Sequence, residues 1–217
     1  MPWNGQLGDG VEVCAIQLPG RESRVSERAF TNLTALVEGL LRVLTPLLDR
    51  PFAFFGHSLG ALASFETARA LRRRGAPMPR HLFVSAFRAP HMPQRTRSLY
   101  ALPDGEFAAE LRKLGGTPDA IFEDLELRDL FLPLLRADFR VCDTYQHTQE
   151  EPFDVPLSAF GGTTDPRANA AEIAGWQVHT TGPFTHRIFD GGHFYLQLPE
   201  HRAALLATIR DALTAVG

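Results

Sequence analysis

Apolar positions along the chain follow two alternating periods. Residues 11–17 (VEVCAIQ) read as a strand stopped by Pro19-Gly20. Thr31 could cap a helix whose apolar side chains fall at Leu33, Leu36, Val37, Leu40, Leu41, Leu44, Leu47 and Leu48, steps of three and one. Residues 51–56 (PFAFFG) make a short apolar strand, and residues 58–74 a helix that ends before Gly75 and Pro77. Three more strands are expected at 81–87 (HLFVSAF), 156–162 (PLSAFGG) and 186–190 (HRIFD). A last helix, about 200–216, buries Leu205, Leu206, Ile209, Ala212, Leu213 and Val216. Strands alternating with helices predict an α/β fold, a mostly parallel sheet covered on both faces.

The pattern changes between the third and fourth of these strands. Residues 99–150 hold no convincing strand, and Gly115-Gly116 and Pro118 split them into helical pieces. Residues 125–139 (LELRDLFLPLLRADF) are apolar on nearly every side, with Pro133 as a kink. A surface helix is apolar along one stripe only. A segment apolar all round must pack on the body and face something else as well. It is read as a lid over an apolar pocket, the alternative being a helical subdomain simply packed on the sheet. The division expected is one domain, with 1–98 and 151–217 as core and about 99–150 as insert.

Composition narrows the function. The 217 residues are 44% apolar and 22% charged, enough for a core and too apolar for disorder. The net charge of −3 gives no basic excess for nucleic acid. All basic residues except Lys113 are arginine, which reads as a coding bias. Cys14 and Cys142 fit no metal or redox spacing and read as free thiols in a reducing compartment. No secretion signal opens the chain, and the most apolar-rich stretch, 33–48, is broken by Glu38 and Arg42, so neither a leader nor a membrane span is expected. The expected location is the cytoplasm. No histidine pair has zincin spacing and no phosphate loop is present, so neither metal nor cofactor is expected.

The chemistry gathers around Gly56-His57-Ser58-Leu59-Gly60, a G-x-S-x-G pattern. As a string it is weak, but it follows an apolar strand and opens a helix, the setting of a nucleophile elbow. The glycines permit the sharp turn, and Ser58 stands at a helix N-terminus where backbone N–H groups can hold an oxyanion. A serine hydroxyl needs a base, and the base an orienting acid, here expected in the order Ser, Asp or Glu, His. His57 adjoins the serine and its side chain diverges. His81 opens a strand, His91 lies in an Arg-rich loop, and His147, His179, His186 and His201 sit in polar surface contexts. His193 follows a strand and Gly191-Gly192 and precedes the last helix, which puts it on the rim that carries Ser58. Asp165, at the end of the preceding strand, is the favoured acid. Asp190 is its rival.

These segments resemble the type II thioesterases that accompany polyketide synthases and nonribosomal peptide synthetases, within the α/β-hydrolase superfamily. The likeness rests on IQLPGRE (16–22), FFGHSLGA (54–61), LFVS (82–85), LGGTP (114–118), LRADF (135–139), Gly161-Gly162 with Asp165-Pro166, and GGHFYL (191–196). It implies an α/β-hydrolase fold with a helical lid. It also implies Ser58 as nucleophile, His193 as base, Asp165 as orienting acid and the Leu59 N–H as an oxyanion donor. The implied substrate is a stalled or wrong acyl group on the phosphopantetheine arm of an acyl or peptidyl carrier protein. In one respect the chain departs from the pattern. The family's first strand and its Pro-aromatic-Ala-Gly-Gly turn, source of a second oxyanion donor, have no match in residues 1–10, which look like the tail of the following helix. The absent strand would lie between residues 11–17 and 51–56, so the sheet is expected to close up, swap or misassemble.

Residues 67–103 contain no acid and eight arginines: Arg69, Arg72, Arg73, Arg74, Arg80, Arg88, Arg95 and Arg97. They are read as a landing surface for an acidic carrier protein or the phosphate of its arm, with Arg72, Arg73 and Arg74 as the docking residues, or as a solvated face. Two other functions stay open: an esterase or lipase on free small molecules, and an inactive fold that only binds carriers.

Overall fold

The computed structural model describes residues 3–215. Its centre is a four-stranded sheet in the order β1-β2-β3-β4, formed by Phe54–His57, Leu82–Ser85, Leu157–Gly162 and Phe184–Phe189. All three pairings are parallel. Seven helices accompany it among the described residues: α1 (Leu33–Leu44), α2 (Leu59–Arg73), α3 (Asp104–Leu114), α4 (Ala120–Glu123), α5 (Leu125–Asp143), α6 (Ala170–Ala174) and α7 (Pro199–Ala215).

The period-two alternation of the strands decides which layer each side chain joins. Leu82, Val84, Leu157 and Ala159 face Ala61, Leu62, Phe65 and Ala68 of α2 and Ile173 of α6. Phe83, Phe160 and Phe189 face the other way, onto Leu205, Leu206 and Ile209 of α7. Helix α1 packs on α2 through Leu36, Leu40, Leu41 and Leu44 against Ala63, Ala70 and Leu71. The cap of α1 is Asn32 rather than Thr31: the Asn32 Oδ1 accepts the Ala35 N–H at 2.8 Å. On α7, Ala212 and Leu213 are only partly buried, and Val216 lies outside the described residues.

Residues 11–17 join no ladder, contrary to the strand expected there. Their alternation survives as packing, since Val11 and Val13 lean on the cluster that includes Phe55 and Trp3. A strand needs a neighbour for its N–H and C=O groups, and the sheet ends at β1. The sheet therefore neither closes up with residues 11–17 nor continues past β1, and it consists of four strands. Residues 3–10 form turns rather than a helix tail, and Leu7 is buried among the α7 side chains.

The insert, by contrast, is built of α3, α4 and α5 joined by turns, with a small core of its own: Leu99, Phe107, Ala108, Leu111, Phe122 and Leu132. Helix α5 runs through Pro133 without interruption. Leu132 faces the insert core while Leu130 and Leu125 are exposed, and Val141 near its end packs beside α1 and α2.

Candidate active site

Ser58 links β1 to α2 with φ 54° and ψ −118°, a region that costs a side-chain-bearing residue on the order of 1–3 kcal/mol. The turn is fixed on both sides: the Ser58 N–H donates to the Ser85 carbonyl at 2.8 Å, and its own carbonyl accepts from the Ala61 N–H at 2.9 Å. A Cβ at Gly56 would run into the Gly60 carbonyl, so glycine is required there. Gly60 faces open space and is not required for the turn, a correction to the reading of the motif. Leu59 is the first residue of α2, so its N–H is one of the helix-start donors without an intrahelical acceptor.

His193 Nε2 lies 2.9 Å from Ser58 Oγ, and His193 Nδ1 lies 2.9 Å from Asp165 Oδ2. His193 and Asp165 are buried, and the second Asp165 oxygen accepts the Arg167 N–H at 2.8 Å. A carboxylate so held keeps the proton on Nδ1 and leaves Nε2 to accept from the serine. The loop that carries His193 is pressed against the end of β3. Gly191 has φ 114°, and a Cβ on Gly162 would strike the carbonyls of Gly191 and Gly192. These glycines therefore set the approach of two loops rather than room for a ring to swing. Asp190 is exposed and accepts from the Thr163 hydroxyl at 2.9 Å. It is Asp165 that meets His193.

Beneath this chain lies a second one that the sequence reading passed over. The Ser85 hydroxyl is 2.6 Å from Tyr195 Oη and 2.9 Å from His57 Nδ1. Burial, reinforced by nearby His193, pushes the His57 imidazole down to about 3, so it stays neutral. Burial also raises the Tyr195 phenol. The signal was present: Ser85 is a polar residue closing an apolar strand on the same rim as Ser58. One other histidine, His179, departs from its expected surface setting, whereas His81 stands at the start of β2 as expected. His179 is buried, with Nε2 at 3.0 Å from His91 Nδ1, and His81 is buried with Nε2 at 2.9 Å from Ser158 Oγ.

Ser58 and His193 open on a cavity of about 630 Å³. Leu111, Leu114, Leu135 and Phe139 of the insert wall one side, and residues 15–18 another. Cys142 lines it too, its thiol pushed up to about 12 by burial, far from a reactive thiolate. Among the described residues no group of three or more metal-ligating side chains is placed to hold an ion. No helix of the described residues is long and apolar enough to cross a membrane.

The arginines divide. Arg72 and Arg73 both bind Glu150, at 2.8 and 2.6 Å, and Arg69 joins them at 2.9 Å. Burial opposes ionisation of Glu150, but these guanidinium groups outweigh it and bring its carboxyl to about 2. Arg74 binds Glu38 at 2.7 Å. Arg95 binds Glu172, and Arg97 binds Glu106 and Glu110. Most of this acid-free run is thus paired with acids from elsewhere, and Arg88 is not on the surface at all.

The chain belongs to the thioesterase domain family, which matches residues 1–213. It is a hydrolase of the α/β-hydrolase fold. Its relatives include the gramicidin S biosynthesis protein GrsT of Aneurinibacillus migulanus, 44% identical over 194 residues, 89% of this chain and 76% of GrsT. Among solved structures, the RedJ thioesterase of the prodiginine pathway in Streptomyces coelicolor is 41% identical with a TM-score of 0.91, covering 97% of this chain and 83% of RedJ. BorB, a type II thioesterase from the borrelidin biosynthetic cluster, is 39% identical with a TM-score of 0.81, covering 92% of this chain and 80% of BorB.

Proposed function

We propose that this protein is a type II thioesterase that hydrolyses acyl groups from the phosphopantetheine arm of acyl or peptidyl carrier proteins. The observation that carries the reading is the hydrogen-bonded sequence Ser58–His193–Asp165 opening on a cavity roofed by the helical insert, in a chain of the thioesterase family. His193 Nε2 takes the Ser58 proton as Oγ attacks the thioester carbon. The Leu59 N–H stabilises the oxyanion. The C–S bond then breaks, His193 returns the proton to the departing thiolate, and the acyl group rests on Ser58. Water, deprotonated by His193, attacks this ester. The acid leaves and Ser58 regains its proton. Asp165 holds the imidazole in the tautomer that both steps need.

In this reading residues 99–150 are a lid on a single domain, and the protein works in the cytoplasm beside the synthases it serves. The carrier docks near Arg72, Arg73 and Arg74. Each of these arginines pairs internally, but Arg69, Arg72 and Arg73 share Glu150 and Glu66, three guanidinium groups against two carboxylates, which leaves one positive charge in excess. Charge reversal at Arg73 and Arg74 should slow hydrolysis from a carrier and spare a small free thioester. Equal effects on both would remove the docking face.

The deciding experiment compares one acyl group on a carrier protein with the same group as a soluble oxygen ester. Faster turnover of the carrier-bound thioester is expected. Strong preference for the free ester would make the protein a general esterase, and failure of a fluorophosphonate to label Ser58 in folded protein would make it a binding module.

A further inference from the structure

Ser85 is bonded to both of the segments that carry Ser58 and His193. Its carbonyl accepts the Ser58 N–H at 2.8 Å, which anchors the elbow. Its hydroxyl lies 2.6 Å from Tyr195 Oη, two residues past His193, and 2.9 Å from Nδ1 of His57, the residue before Ser58. Ser85 closes β2 and is fully buried. The Tyr195 ring is stacked on Phe189 of β4, with ring centres 4.9 Å apart and planes within 9°, so the phenol meets Ser85 from a fixed plane. The protons along this chain have one consistent order. The buried phenol keeps its proton, and Ser85 Oγ is the acceptor it reaches. Ser85 then gives its own proton to His57 Nδ1, which leaves the His57 proton on Nε2. The His193 backbone attracts that ring's proton but closes no hydrogen bond with Nε2, which is out of solvent. A buried N–H left this way costs stability, and an apolar ring at position 57 would avoid the cost. The imidazole stands there instead as the acceptor that ends the chain, its ring centre 5.2 Å from that of His193 and 5.5 Å from that of Phe194.

We infer that Ser85 and His57 are positioning residues: the Tyr195–Ser85–His57 chain fixes the loop of the base against the elbow of the nucleophile, and so sets the Ser58–His193 contact. Its links come from the end of β1 (His57), the end of β2 (Ser85) and the loop after β4 (Tyr195), so it crosses between the segments whose register the reaction needs. The alternative is that the chain only fills the core beneath the site. The two differ in what its loss does. A base held out of place slows bond-making while the substrate binds as before, because reacting atoms tolerate little displacement. Lost core stability lowers the folded fraction and leaves the turnover of each folded molecule as it was. The inference rests on reading Ser58, His193 and Asp165 as the catalytic triad.

The test measures kcat and KM on a propionyl N-acetylcysteamine thioester, with kcat counted per Ser58 labelled to completion by a fluorophosphonate. In Ser85→Ala, kcat should fall by about 10- to 100-fold while KM stays within about twofold of wild type. His57→Phe, which keeps a ring but offers no acceptor, should lose a similar amount. His57→Asn, whose amide oxygen can take the place of Nδ1, should recover most of it. Tyr195→Phe added to Ser85→Ala should cost less than about twofold more, since the chain is already cut. Unchanged kcat per labelled serine in Ser85→Ala, or equal losses in His57→Phe and His57→Asn, overturns the inference. So do losses that multiply independently in the double variant. Should Ser85→Ala fail to fold, the comparison of His57→Phe with His57→Asn decides. Wild-type hydrolysis of the thioester, abolished in Ser58→Ala, separately reports whether the protein is a thioesterase. Were only the matching oxygen ester cleaved, that ester would serve for the same variants.

Discussion

The floor and the roof of the cavity are built on different principles. The floor is the C-terminal rim of β1, β2, β3 and β4. There Ser58, Ser85, Asp165 and His193 are fixed by backbone hydrogen bonds, by one another and by glycines that allow no Cβ. The roof is the insert, which carries a separate core and is joined to the body both by packing, with Val141 set among α1 and α2 side chains and Cys142 and Tyr145 on the central core, and by charge. Asp143, whose carboxylate is fully buried, accepts from Gln94 at 3.1 Å and from Arg167 at 2.8 Å, while Asp138 receives Arg21. Bond-making atoms are thus held where packing tolerates no slack, whereas the walls that meet the acyl chain belong to a unit that can change side chains without disturbing them.

That division can be tested in descending order of effect. Removing the proposed nucleophile on the floor, Ser58→Ala, should lower kcat by about 10⁶-fold, as measured by thiol release, with an unchanged melting curve. Asp165→Asn should cost about 10⁴-fold and Asp190→Asn very little; the reverse pattern would move the acid to Asp190. Next come the buried histidines. Burial holds His57 and His179 at about 3 and His81 at about 4, below the ordinary 6.5. The unfolded chain therefore binds protons that the folded chain refuses. Stability is full above pH 6.5 and falls as pH drops from there toward 4, each histidine contributing about 1 kcal/mol per pH unit. A urea midpoint that stays flat from pH 7 to pH 5 would contradict this. For the roof, Asp143→Asn should remove about 3 kcal/mol and raise KM more than it lowers kcat; loss of Ser58 labelling would show that roof and floor are not separable. The smallest effect is expected from Tyr195→Phe, about 1 kcal/mol in a melt, through the Ser85 hydroxyl it supports.

Much of this was legible in the residues. The four paired strands and the long helices were written in hydrophobic period, because burial on both faces leaves a short apolar run and burial on one leaves a stripe. Ser58, Asp165 and His193 were legible because each follows a strand, and parallel strands deliver their C-terminal ends to one rim. Residues 11–17 misled for a physical reason. Alternation records which side chains are covered, and Val11 and Val13 are covered, but it says nothing of whether a neighbouring backbone is there to pair. Gly60 looked like Gly56 because a string does not reveal where a Cβ would point. The pairing of Arg72 and Arg73 with Glu150 was hidden by a separation of 78 and 77 residues. Arg88 seemed one more surface charge until the fold placed it inside.

The torsion at Ser58 carries one more consequence. A glycine would sit at φ 54° without strain, so the chain would fold more firmly with its reactive hydroxyl deleted. Selection for durability alone would therefore favour glycine at this position, and the strained serine is what the proposed acylation of its hydroxyl requires.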